Sequence, residues 1–280
     1  MTFIDFASAH GLIIKNLDQG RWVRTPTTDK PRKRNGGYFH GGDYASIINW
    51  ATMTEHVTWF PDKPMTEIDR ADMQKRMDTS RKAYAKERGI KQAIAAKKAR
   101  FILGLTELDR HAYLDSHGMP DDVGNVWKRE GEDPLLVIPM MIGKAVVGCQ
   151  LISITGEKRF ITGQRCNDAE FVIGNAGVDI WVEGFCTGLA VRKAVAALKT
   201  VARIHVTFSA GNMARMAKSG VIVADNDVSL TGQRTAEETG LPFYLPEREG
   251  DDFCDEWMRV RTFAASMKLR KLLQRVGKSV

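Results

Sequence analysis

The stretch Val221 to Gly232, VIVADNDVSLTG, runs a short apolar segment into two acids separated by one residue. Such a run, bounded by polar residues, reads as a buried strand. On a chain leaving that strand, Asp225 and Asp227 can point the same way, which two adjacent strand residues cannot do. Outward from this point, the pattern after Gly174 alternates strand and helix: VDIWV, TGLAVRKAVAALKT, RIHVTF, NMARMAKS, GVIVA, TGQRTAEET and PFYLPE. Strands spaced by helices imply an α/β fold with a parallel sheet and helices on both faces. Ligands of such sheets gather at the carboxyl ends of the strands. Glu183 ends the strand DIWV and is followed by Gly184, so two strand ends would present three carboxylates.

Carboxylates held this close raise one another's pKa unless a cation neutralises them. Hard oxygen donors favour magnesium or manganese, which polarise phosphates and activate an attacking oxygen in nucleotidyl transfer. An isolated D-x-D pair is more often a solvated loop or a helix cap.

Composition bounds the rest. The chain has 280 residues, 43% hydrophobic, enough for one large core or two smaller ones. The start, MTFIDFASAHGLII, lacks a signal-peptide pattern and no apolar run is long enough to span a bilayer, so a cytoplasmic protein without membrane contact is expected. Cys149, Cys166, Cys186 and Cys254 are far apart, with no C-x-x-C pair, which predicts free thiols and no zinc. The net charge of +7 is uneven: residues 1–100 carry 19 Lys+Arg against 11 Asp+Glu, and residues 101–280 carry 22 against 23. A basic excess in one part suits a polyanion, or simply a solvated basic face.

Residues 1–64 read as a small β-rich module with strands in RWVRTP, GGYFHGG, YASIINWA and EHVTWF. Lys30, Arg32, Lys33 and Arg34 interleave there with Trp22, Tyr38, Phe39, Trp50 and Trp59. Cations that track phosphate beside rings that stack on bases suit single-stranded nucleic acid; the same rings also suit the core of a small sheet. Residues 65–105 read as a basic helical linker, opening on a capping box at Thr66 and Asp69. It could follow a nucleic-acid backbone or be an exposed connector. A short helix in TELDRHAYLDSHGM and antiparallel strands in LLVIPMMIGKAVVGCQLISITGEKRFITGQR, turning at Gly143 and Gly156, occupy 106–173. The parallel sheet follows over 174–262, and a basic helix over 263–280.

DIWVEGFCTGLAV, VTFSAGN and VIVADNDVSLTGQRTAEE resemble, in order and spacing, the TOPRIM domain of bacterial and phage primases, topoisomerases and some nucleases. The strands before them resemble the basic subdomain that precedes TOPRIM in primases of phages and mobile elements, and DDFCDEW resembles their D-F-N-D element. This wider resemblance favours primase. It implies Glu183, Asp225 and Asp227 as catalytic and metal-binding acids, Asp252 and Asp255 as outer members of the metal set, and two or more magnesium or manganese ions. Lys158, Arg159 and Arg165 would contact template or nucleotide phosphates, with Lys33 and Arg34 adding nucleic-acid contacts from the N-terminal module. Thr187 stands where many relatives carry another acid, and Cys254 replaces the Asn. No zinc ribbon and no phosphate-binding helicase loop is present in the sequence.

The expected function is a DNA primase joining ribonucleoside triphosphates on a single-stranded DNA template, with a separate replicative helicase as partner. The alternatives are a TOPRIM-type metal-dependent nuclease and a non-catalytic single-stranded-DNA-binding replication factor.

Overall fold

The computed structural model describes residues 1–50, 52–53, 55–62, 67–228 and 230–276. The expected cap at Thr66 lies outside them. The chain forms two compact units, Met1–Glu87 and Arg88–Val280, and the division falls inside the stretch read as a linker.

In the first unit, α1 (Phe3–Ala9) starts at a reciprocal cap: the Asp5 amide donates to the Thr2 hydroxyl, and the Asp5 carboxylate accepts from the Thr2 amide. Strands β1 (Trp22–Thr25), β2 (Gly36–His40), β3 (Ala45–Asn49) and β4 (Val57–Trp59) form an antiparallel sheet in that order. Its inner face packs Tyr38, Ala45 and Ile47 on Phe3, Ala7 and Leu12. Tyr38 is fully buried, yet its hydroxyl donates to the Asn16 carbonyl at 2.9 Å and accepts from the Asp18 amide at 3.0 Å. Its polar end is therefore satisfied, which is the condition for burying it.

Helix α2 (Glu67–Gly104) is one continuous helix. In the second unit its last turns are core: Ala95, Ala99 and Ile102 pack against Val137, Cys149 and Ile161. Their spacing of three to four residues is one helical stripe.

The segment read as a short helix begins instead with a strand, β5 (Glu107–Asp109), and the helix α3 is confined to Ala112–Ser116. Pairing decides this: β5 adds antiparallel to β6 (Gly124–Arg129), with Glu107 opposite Val126. A sheet edge offered hydrogen bonds that a three-residue helical extension could not match. Strands β7 (Glu132–Ile142), β8 (Ala145–Ile152) and β9 (Lys158–Phe160) complete a five-stranded antiparallel sheet in chain order.

The remaining strands are β10 (Phe171–Ile173), β11 (Val178–Val182), β12 (Ala202–Val206), β13 (Val221–Val223) and β14 (Phe243–Tyr244), in the order β10-β12-β11-β13-β14. Four run parallel; β10 joins antiparallel on β12, so the sheet is mixed and begins before Gly174. Helices α4 (Phe185–Ala197) and α7 (Phe253–Val276) cover the face carrying Ile180, Val182, Ile204, Val206, Val221 and Val223. Helices α5 (Ala210–Met216) and α6 (Thr231–Thr239) lie against the other face, around Trp181, Ile222 and Ala224. α4 buries nine of its thirteen residues, as expected of a helix apolar on nearly every side. α7 breaks at Arg261, whose φ is 67°. Among the described residues, no helix is long and apolar enough to cross a membrane.

Candidate active site

The carboxyl ends of β11 and β13 lie side by side because Val182 pairs with Val223. Glu183 and Asp225 leave these adjacent strands one residue out of step. Between the two acids of the D-x-D pair, Asn226 is turned away and fastened: its side-chain amide donates to the Pro246 carbonyl at 2.9 Å and its backbone amide to Asp251 at 3.0 Å. Asp227 accepts from the Thr231 amide at 3.3 Å, at the start of α6. Gly232, in the first turn of α6, lies directly over Asp225: a Cβ there would collide with the Asp225 carbonyl oxygen.

Asp225 is partly exposed as a residue, but its Oδ1 is sealed from solvent with no hydrogen-bond partner. Burial, then the charges of Glu183, Asp252 and Asp227, push its pKa up to about 7, against the opposing pull of Lys158. Glu183 is also pushed up, by burial first and then by Asp227, while Lys158 and the Ala210 amide favour its charged form. Lys158 opens β9, its charge acts on both acids, and its ammonium lies 6.0 Å from the Tyr113 ring centre.

The outer acids also have a structural role. Asp252 and Asp255 cap α7 reciprocally: the Asp255 amide donates to Asp252 Oδ1 at 2.9 Å, and the Asp252 amide to Asp255 Oδ2 at 3.2 Å. Thr187, buried in α4, donates its hydroxyl to Asp252 Oδ2 at 3.0 Å. Thr187 thus ties α4 to the start of α7. Cys254 is buried beside Cys186, and a hydrogen bond with that thiol, then burial, push its pKa up and disfavour the thiolate. Cys149 and Cys186 are likewise free and buried, and Cys166 is free and exposed.

Of the basic residues, Arg159 is exposed and held by both oxygens of Glu157, at 2.8 and 3.0 Å. Arg165 pairs with Asp168 at 2.6 Å. Lys158 is the basic side chain whose charge acts on both Glu183 and Asp225. Lys33 and Arg34 are exposed in the β1–β2 connection of the first unit.

Phe208, which sequence reasoning passed over, follows β12 in a left-handed conformation with φ 64°. Its amide donates to the Glu183 carbonyl at 3.0 Å, and its ring meets Phe160 edge-on at 6.4 Å. A bulky residue held there is strained, and strain of this kind concentrates at functional sites. Nothing in the linear pattern of VTFSAGN signals it.

Hard carboxylate donors and an orphaned, buried Asp225 oxygen are the features a divalent cation would relieve. Among the described residues, however, no three His, Cys, Asp or Glu side chains stand close enough to enclose a metal ion. The acids form a shared negative field, not a closed coordination shell.

The second unit is therefore a mixed α/β fold with a carboxylate cluster at the carboxyl ends of its parallel strands. No family profile matches the sequence, and no curated protein does. Among solved structures, a chain in the complex of bacteriophage T7 lagging-strand DNA polymerase with the primase domains of two gp4 subunits, bound to an RNA/DNA hybrid and dTTP, is similar at 16% identity. The TM-score is 0.38, over 58% of this chain and 85% of that chain.

Proposed function

We propose that the chain is a TOPRIM-type DNA primase of phage or mobile-element kind, synthesising short RNA primers on single-stranded DNA. The observation that carries this reading is Asp225: a carboxylate with one sealed, unpartnered oxygen, raised to about 7 by burial, by Glu183 and Asp227 near the strand ends and by Asp252 at the α7 cap. A site organised only for stability would have paired or replaced that group. Clustered titratable groups with strongly perturbed pKa values mark functional sites.

Glu183, Asp225 and Asp227 would hold magnesium or manganese, with Asp252 and Asp255 contributing charge from the α7 cap. Bound there, the cation would supply polarisation of a nucleotide phosphate and activation of an attacking hydroxyl. Of the chain's own groups, Lys158 is placed to balance the acids and to receive a phosphate oxygen. Arg159 and Arg165 would reach phosphate by exchanging Glu157 and Asp168. Ribonucleoside triphosphates and a single-stranded template are the substrates of this reading, and a replicative helicase is its separate partner.

That no three-ligand cluster stands among the described residues favours a second reading, a non-catalytic single-strand binder. A TOPRIM-type nuclease would use the same acids to activate water. Incubation with single-stranded DNA, labelled ribonucleotides and magnesium or manganese separates them. Primer synthesis that is lost in Glu183→Gln and Asp225→Asn, with DNA binding retained, supports the primase. Metal-dependent cleavage of the DNA supports the nuclease, and binding with neither reaction supports the binder.

A further inference from the structure

The four-stranded sheet of the first unit has a second face. Register places Trp22, Arg24, Gly37, Phe39, Ser46, Ile48 and Thr58 together on the side opposite the Tyr38 core. At its centre Gly37 leaves a gap that Trp50 fills: a Cβ there would fall 2.6 Å from the tip of the Trp50 indole and 3.4 Å from Trp22. Trp50 is 42% exposed, a high value for a tryptophan seated against a sheet. The Arg24 guanidinium carbon stands 3.8 Å from the Trp50 ring centre. Trp22 continues the aromatic surface, with His56 edge-on at 4.9 Å and Tyr84 at 6.4 Å.

Basic side chains predominate over this face, although Arg76 beside Phe39 is paired with Asp43. Burial lowers the Arg24 pKa, and among the described residues no carboxylate pairs with it. Lys30, Arg32, Lys33 and Arg34 are exposed in the β1–β2 connection and form no ion pair among the described residues. Beside Phe39 the surface opens into a cavity of about 550 Å³, lined also by Tyr44, Lys75, Arg76, Thr79 and Ser80. Its size suits a nucleotide.

We propose that this outer face is a single-stranded DNA binding surface, on which Trp50 and Trp22 stack with unpaired bases while Arg24 and the Lys30–Arg34 connection hold the phosphates. The exposed Trp50 ring and the half-buried Trp22 beside it are of use only to bases that are unstacked and unpaired, whereas a duplex offers phosphates and groove edges but no free base face. The inference deepens the primase reading by naming a template-holding surface, and rests on that reading for the choice of DNA.

The test is fluorescence anisotropy on the full chain with labelled oligothymidylate longer than about 16 nucleotides, the upper site size of small single-strand binding folds. Trp50→Ala should weaken binding by about 5- to 100-fold, the usual range for one lost stacking contact, and Trp50→Phe should restore most of it. Arg24→Gln should weaken binding and reduce the log-log salt slope by about 0.7, the value of one phosphate contact. Trp59→Phe, on the inner face, should bind as wild type. If Trp50→Ala unfolds the unit by circular dichroism, the exposed Arg24→Gln decides. Wild-type affinity in both Trp50→Ala and Arg24→Gln overturns the surface and leaves the primase reading standing. Equal competition by a duplex of the same length also overturns it, because stacking would then play no part. Failure of the wild-type chain to bind single-stranded DNA overturns surface and primase reading together, whereas loss of synthesis in Glu183→Gln with normal binding supports both.

Discussion

Asp225→Asn should make the protein more stable while destroying its proposed chemistry. The folded chain raises this carboxyl from an ordinary 3.8 to about 7. Between those values the folded state holds a proton that the unfolded chain has released, so folding stability falls as pH rises through that window. Above about 7 the loss is complete, and below 3.8 there is none. At about 1.4 kcal/mol per unit the limit is about 4 kcal/mol. Because the residue is partly exposed, screening reduces this to about 1–3 kcal/mol. Asn keeps the shape and cannot ionise, so that stability returns. For a unit of this size the gain corresponds to an unfolding midpoint about 2–12 °C higher at pH 8. Thermal unfolding of both proteins should be followed from pH 4 to pH 9. Their midpoints should coincide near pH 4, separate through pH 7 and run parallel above it. Magnesium at pH 8 should raise the wild-type midpoint and leave the variant's nearly unmoved, since a cation relieves a charge the variant lacks. A variant no more stable than wild type at pH 8, or a gap that does not open with pH, would refute the account of Asp225 as an uncompensated acid.

Thr187→Val removes the buried hydroxyl that donates to Asp252 and should cost about 1–3 kcal/mol, with Thr187→Ser close to wild type in a thermal melt. Gly232→Ala drives a methyl group into the Asp225 backbone; it should destabilise by about 1–3 kcal/mol and abolish the proposed primer synthesis, and a neutral variant would show that α6 moves freely. His205 lies 2.6 Å from Glu170 and 3.1 Å from Asp179, stacked on Trp181 at 4.0 Å. Burial lowers its pKa, but hydrogen bonds and charge from the two carboxylates outweigh burial and leave it raised above 6.5. Its stabilising contribution is full below 6.5 and fades as pH rises through the folded value. The Trp181 fluorescence difference between wild type and His205→Gln should therefore titrate with a midpoint above 6.5, and a midpoint below it would contradict the carboxylate clamp.

The sequence by itself determined what a period of two or of 3.6 can carry. The strand VIVA, the helix TGLAVRKAVAALKT and the order in which strand and helix alternate after Gly174 are local patterns of apolar residues, legible without knowing any partner. The placing of Glu183 and Asp225 at strand ends follows from the same patterns. Tertiary structure decided what depends on a partner distant in sequence. Glu107–Asp109 is a strand because β6 is there to pair with it, and Phe171–Ile173 joins the mixed sheet because β12 has a free edge. Ala95, Ala99 and Ile102 are core because the β7–β8 hairpin covers one stripe of a helix whose composition reads as polar. Thr187, an unexplained departure in the linear pattern, has its meaning only when α7 brings Asp252 within 3.0 Å. Among the aromatics of the first unit, composition cannot separate Tyr38 from Trp50. Register does, because a strand sends neighbouring side chains to opposite faces, and only the pairing of β1 through β4 shows which face meets the core and which is left with Arg24.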